Sequence, residues 1–217
     1  MGSTAQEIIS EAFRHHNLNE VNAFSVSQEF PYKIAKDILN DVLRMMNRMG
    51  SYWFTETRTA LSYTPNQYAY QLPSLSIDPK RIIRVRREAA ERWGDLKQVN
   101  WQQFQACYRN ASIATGEPII WSKFGNTLEL NCIPAEDYHL VAYHFADLPA
   151  VVAPADTLLV PERDEDVLID CCYQLLGYKM GRWSYQSAIQ AMQVRIQPLL
   201  ANTKQDAGIA YQMPAAF

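Results

Sequence analysis

Glycine is scarce in these 217 residues, with eight in all, and none falls in a phosphate-cradling loop or a G-x-S-x-G elbow. No H-E-x-x-H stands anywhere in the chain, so the common sequence signatures of nucleotide binding, serine hydrolysis and zinc proteolysis are absent. Four cysteines occur, Cys107, Cys132, Cys171 and Cys172, with no C-x-x-C pair and with two of them adjacent. That spacing suits neither a zinc site nor a disulfide framework and reads as reduced, mostly buried small side chains. Apolar runs of membrane-spanning length are missing, and the first residues lack the basic-then-apolar order of a secretory signal, so a protein that stays inside the producing cell is expected. Excess positive charge is missing too. The formal charge of −3 argues against whole-protein attraction to nucleic acid and leaves room for a local basic patch.

What the chain does have is material for a core: 48% hydrophobic and 12% aromatic residues against 20% charged. Thr4-x-x-Glu7 forms a capping-box pattern ahead of Ile8, Ile9, Ala12 and Phe13 on one helical face. A second helix is expected from about Pro31, with Ile34, Ile38, Val42, Met45, Met46 and Met49 at helical spacing and Gly50 as a left-handed cap. From Ser51 the period changes to two. Thr59, Leu61 and Tyr63, a turn at 64–67, then Tyr68, Tyr70 and Leu72 predict a hairpin. Residues 81–87 predict a strand with Ile83 and Val85 on one face and Arg84 and Arg86 on the other, and three further strands follow, around 119–121, 128–130 and 138–145, with a short helix at 101–108. Pro161 opens a helix with an acidic first turn, Gly181 closes it, and a last helix from Ser184 should end or kink at Pro198.

Each helix carries an apolar stripe that needs a partner. The expectation is therefore one α+β domain over 1–217, in which helices of 1–49 and 159–201 form a bundle. Residues 50–158 would be an inserted antiparallel β unit, and 202–217 an extended tail.

Candidate chemistry is thin. His15 and His16 are neighbours and point apart on a helix; Glu11 and His15 share a face, either as a two-ligand surface pair or as a solvated helix end. His139 and His144 are five apart on one strand and face opposite sides. No catalytic, cofactor-binding or metal-binding residue is named, no cofactor is expected, and a non-enzymatic protein is the reading. Charge is the stronger signal. Lys80, Arg81, Arg84, Arg86, Arg87 and Arg92 crowd residues 80–92, while Glu162, Asp164, Glu165, Asp166 and Asp170 crowd 162–170. The two stretches are either solvated faces or complementary patches, with Arg84, Arg86, Arg87, Glu162, Asp164 and Glu165 as candidate subunit contacts. An alternative is a DNA-binding regulator that uses the basic strand 80–92 on phosphates.

The order of several segments resembles the head-to-tail adaptor proteins of short-tailed bacteriophages, the tail-tubular-protein-A type. Those segments are Tyr32-x-x-Ala35-x-x-Ile38-Leu39-Asn40 through Arg44 and Arg48 to Gly50 and Trp53-Phe54, then Tyr70-Gln71-Leu72-Pro73 and Arg81-Ile82-Ile83-Arg84-Val85. Thr115-Gly116-Glu117-Pro118, Gly125-Asn126, Ile133-Pro134-Ala135-Glu136-Asp137-Tyr138 and Leu159-Val160-Pro161 complete the series. The resemblance implies a helical bundle with a β insertion, and a virion subunit of a dodecameric ring seated between portal and tail nozzle around the DNA channel. Its implied partners are copies of itself, the portal, the nozzle protein and tail fibres, with genomic DNA passing without sequence specificity and no membrane. Assembly in the host cytoplasm is implied as well. The resemblance also makes Ile209, Tyr211, Met213 and Phe217 candidates for portal contact.

Overall fold

A computed structural model describes residues 2–21, 24, 29–89, 92–108 and 113–206, with side chains left aside at 89, 92 and 202–206. Among the described residues there are five α-helices: α1 Ala5–His15, α2 Ala35–Met49, α3 Trp101–Tyr108, α4 Glu165–Lys179 and α5 Tyr185–Asp206. The strands are β1 Glu56–Ala60, β2 Ala69–Gln71, β3 Ile82–Ala89, β4 Arg92–Asp95 and β5 Lys97–Gln98, followed by β6 Thr115–Gly116, β7 Ile120–Phe124, β8 Thr127–Leu130, β9 Ile133–Pro134 and β10 Leu140–Phe145. The chain is α+β and divides into two compact units: residues 56–146, and the segments on either side of them.

The helical unit draws on both sides of the insertion. Its core joins Ile8, Ile9 and Phe13 of α1, Ile38, Leu39, Val42 and Met46 of α2, Leu168, Cys171, Cys172 and Leu176 of α4, and Met192 and Ile196 of α5, all buried. α4 is the hub, packing on α1, α2 and α5. Such a position asks for apolar residues around most of the helix circumference, and partly buried Val167, Ile169 and Tyr173 supply them beside its fully buried stripe.

The termini of these helices follow elementary rules. Thr4 and Glu7 close the expected capping box on α1. At the end of α4, Gly181 takes φ 73; its N–H donates to the Tyr178 carbonyl and the Arg182 N–H to the Gly177 carbonyl, the paired bonds of a Schellman cap. Gly50 behaves differently from expectation. Its φ of 168 is extended backbone, and a Cβ there would lie 2.6 Å from Leu200 Cδ2, so the missing side chain gives α5 room and forms no left-handed cap. α5 also runs through Pro198 to Asp206, five residues past the end expected from sequence. Burial of Ile196 and Leu199 on either side of the proline offsets the lost backbone bond.

The inserted unit holds a sheet ordered β1-β10-β3-β4, antiparallel throughout, and a second ordered β2-β8-β7-β5, with β6 and β9 as a separate parallel pair. β5 runs parallel to β7. The hairpin expected over 59–72 does not form: β1 pairs with β10 and β2 with β8, in different sheets. Its turn is nevertheless present, with the Gln67 N–H donating to the Thr64 carbonyl and Asn66 at φ 65. The expected β7–β8 hairpin does form, with Phe124 opposite Thr127 and Gly125 at φ 56.

A bulge changes the reading of β3. Tyr143 pairs with Arg84 but His144 with Ile82, leaving Ile83 as the extra residue. Ile82 and Val85, three apart, therefore join one core with Leu72, Trp121, Leu128 and Leu140, and the simple alternation that grouped Ile83 with Val85 fails.

Candidate functional site

Four arrangements place functional side chains, and each is built inside one unit.

The first is the basic strand. Arg84 lies 4.5 Å over the Tyr143 ring with Nη1 4.0 Å from Asp95 Oδ2. Arg86 lies 4.9 Å over the Trp93 ring, its Nε 3.7 Å from Asp95 Oδ1. The Arg87 side chain is 15% exposed and pairs with Glu117, lying across the bare Cα of Gly94. Arg81 pairs with Asp78 at 3.5 Å and donates to the Ala146 carbonyl at 3.4 Å. Charge alternation along a strand is read as an exposed cationic face, yet neighbouring strands and loops bring a carboxylate to each of these four guanidiniums. Glu88 is drawn in as well, accepting from the Tyr143 hydroxyl and facing Arg58 at 3.7 Å.

The second is the acidic start of α4. Glu165 accepts from both the N–H and the hydroxyl of Ser3, each at 2.7 Å, so it ties the segment before α1 to α4. Asp164 is buried beside Arg163. Glu162 is exposed, and just before it Leu159 is 53% exposed on a loop whose Leu158 N–H donates to the Ser3 carbonyl and whose Thr157 bridges Thr4. Of the six charged candidates, Glu162 is exposed, and Arg84, Arg86, Arg87, Asp164 and Glu165 make contacts in their own unit.

The third was not read from sequence. Asn40 and Asn47, seven apart on α2, face the segment that returns from the insertion. Asn40 Nδ2 donates to the Val151 carbonyl at 3.0 Å and Oδ1 accepts the Val151 N–H at 2.7 Å; Asn47 does the same for Leu148 at 3.0 and 2.8 Å. Two amides satisfy four backbone groups that would otherwise be stranded in a half-buried site. Their spacing on one helical face was the available signal, since i and i+7 lie on the same side of a helix.

The fourth is a groove of 310 Å³ between α2, α4 and α5. Met45, Leu175, Ile189 and Met192 make its apolar lining, and Tyr178 and Tyr185 stand against each other in it with ring centroids 5.2 Å apart. Arg44, Arg48 and Lys179 line it along with one carboxylate, Asp41, which holds Arg44 at 2.5 Å.

The histidines have structural partners. His16 is buried; Nδ1 accepts from Arg182 at 2.7 Å, which leaves the proton on Nε2 to donate to the Tyr173 carbonyl at 2.9 Å. Burial, with the Arg182 charge, holds its pKa below the ordinary value. His144 is buried against the Thr59 hydroxyl at 2.9 Å, whereas His139 lies outside the strand at φ 46, 3.5 Å from Asp137. Glu11 and His15 approach to 3.7 Å on the surface. Cys171 and Cys172 are buried, and burial pushes the Cys171 thiol up to about 12, so neither is a thiolate near neutrality. Cys132 is buried and Cys107 exposed. Ile209, Tyr211, Met213 and Phe217 lie outside the described residues. No described helix is long and apolar enough to cross a membrane.

A helical unit built from both flanks of a β insertion, with many of its polar groups engaged in holding its own fold, is the architecture that a family match covers. The family model of the SU10 adaptor protein matches residues 3–214, nearly the whole chain, and the chain belongs to that family of phage head-to-tail adaptors. It is thus a structural virion protein by family, in a class not known for catalysis. No curated protein matches it.

Proposed function

We propose that this protein is the subunit of a ring, of twelve copies, that joins the portal to the tail nozzle and surrounds the channel through which the genome passes, as in adaptors of the tail-tubular-protein-A type. The observation that carries the reading is the family match over residues 3–214, covering the helical and the inserted units together. The architecture supports it: with the helical core completed by the returning chain, the insertion can meet neighbours while the bundle stays intact. In this reading the portal, the nozzle protein and tail fibres are partners, DNA is met without sequence specificity, and the segment with Ile209, Tyr211, Met213 and Phe217 reaches the portal. Arg84, Arg86 and Arg87 and the acidic group Glu162, Asp164 and Glu165 are subunit-contact candidates, and of the acidic three Glu162 is the one exposed at the surface. A DNA-binding regulator gains nothing from the structure, because each of the β3 arginines already faces a carboxylate.

Negative-stain imaging of the purified chain mixed with the portal protein of its phage tests the proposal. Added ring density on one end of the portal is expected; portals that stay bare at saturating chain contradict it.

A further inference from the structure

The groove between α2, α4 and α5 and the loop ahead of α4 lie at opposite ends of one rigid element. Leu175, Tyr178 and Lys179, which line the groove, belong to the last two turns of α4, whereas Leu159 and Glu162 precede its first residue, Glu165. Fifteen helical residues separate the two by about 20 Å. A chain's own loop therefore does not fill its own groove, and a contact between them joins one copy to the next.

We infer that the Leu159–Glu162 loop of one copy docks in the α2/α4/α5 groove of its neighbour; this rests on the ring reading above and names the contact that builds it. The two surfaces match in chemistry. Leu159 offers an exposed apolar side chain to a methionine- and leucine-lined floor, and Glu162 brings a carboxylate to a rim where Arg48 and Lys179 stand beside the Arg44–Asp41 pair. Apolar burial supplies the attraction, and the charge pair sets the direction and register of docking. The loop is also held in place before docking: Leu158 and Thr157 bond the segment before α1, a Cβ on Gly2 would lie 2.9 Å from the Leu158 carbonyl oxygen, and Ser3 is fixed by Glu165. Little ordering entropy is left to lose on association. Because knob and socket are different patches of the same chain, the contact is head-to-tail and closes into a ring when successive rotations sum to a full turn.

The test uses the full chain carrying Cys107→Ser, which removes the exposed native thiol. Leu159→Cys and Tyr185→Cys are added singly and together, and the samples are oxidised mildly over rising concentration. The two-site variant is expected to give a reducible ladder of oligomers, and the two single-site variants, when mixed, to give mainly the mixed dimer. Glu162→Arg should cut the ladder at least tenfold, as should Arg44→Glu with Arg48→Glu, and combining the two sets should restore it. A random distribution of cross-links, or a ladder indifferent to both charge reversals, overturns the contact. Chain that decorates the portal as a ring without giving the ladder keeps the adaptor role and loses this contact. A ladder from chain that leaves the portal bare keeps the contact and loses the role.

Discussion

At the residue scale, the polar side chains that look available in the sequence are largely spent on holding the fold. His16 is the clearest case, a neutral imidazole between a guanidinium donor and a carbonyl acceptor. A histidine whose folded pKa lies below its unfolded value of about 6.5 binds fewer protons folded than unfolded, so its stabilisation is complete above that value and is lost as pH falls toward the folded one. His144 shifts the same way, through burial. Thermal unfolding followed from pH 7.5 downward, a range chosen at about one unit above the histidine value, is expected to show falling stability, and His16→Gln is expected to flatten part of that slope. A slope unchanged by His16→Gln would assign the whole effect elsewhere. Gly177 makes a second prediction. A Cβ there would stand 1.9 Å from Cζ2 of Trp183, whose Nε1 is anchored on the Gln174 carbonyl at 2.7 Å, so the indole has little freedom to withdraw. Gly177→Ala should cost about 1–3 kcal/mol in urea unfolding, despite alanine's better helix propensity.

At the element scale, the strands and helices were legible where periodicity is local, and strand partners were not. The capping box at Thr4, the stripe of α2, the Gly181 stop and the β7–β8 turn all follow from residues a few positions apart. The pairing of β1 with β10, more than eighty residues on, follows from which faces can be buried together, a quantity no local window contains. The same holds for the β3 bulge, which moves Ile82 inward and leaves Ile83 over. Pro198 misled for a related reason: propensity favours a break, and tertiary burial of Ile196 and Leu199 outweighs it. Pro198→Ala should then raise stability by up to about 3 kcal/mol, seen as a higher urea midpoint at constant m-value. On α2, Asn40→Ala removes both hydrogen bonds to Val151 and is expected to cost about 1–3 kcal/mol, with Asn40→Asp recovering only the half in which an oxygen accepts the Val151 N–H.

At the scale of the whole molecule, the apolar stripes of the flanking helices foretold that the two sides of the chain would share a core, and they do, with α4 at its centre. The charged surface was less legible. Sequence alone showed six cations in thirteen residues, but Asp95 of the neighbouring strand faces both Arg84 and Arg86, Glu117 from a distant loop pairs with Arg87, and Arg81 pairs with Asp78, three residues before it. Conversely Arg44 and Arg48, one turn apart on α2, meet Lys179 only when α2 and α4 pack, so the groove as a whole is not readable from any one stretch of sequence. What unites the molecule is its family: a phage head-to-tail adaptor is a structural component of the particle. Quantitative mass spectrometry of purified virions measures that directly. The chain should be recovered from intact particles together with the portal protein, and on the proposed ring at about twelve copies per particle. Abundance in the infected-cell lysate with absence from purified particles would contradict the account.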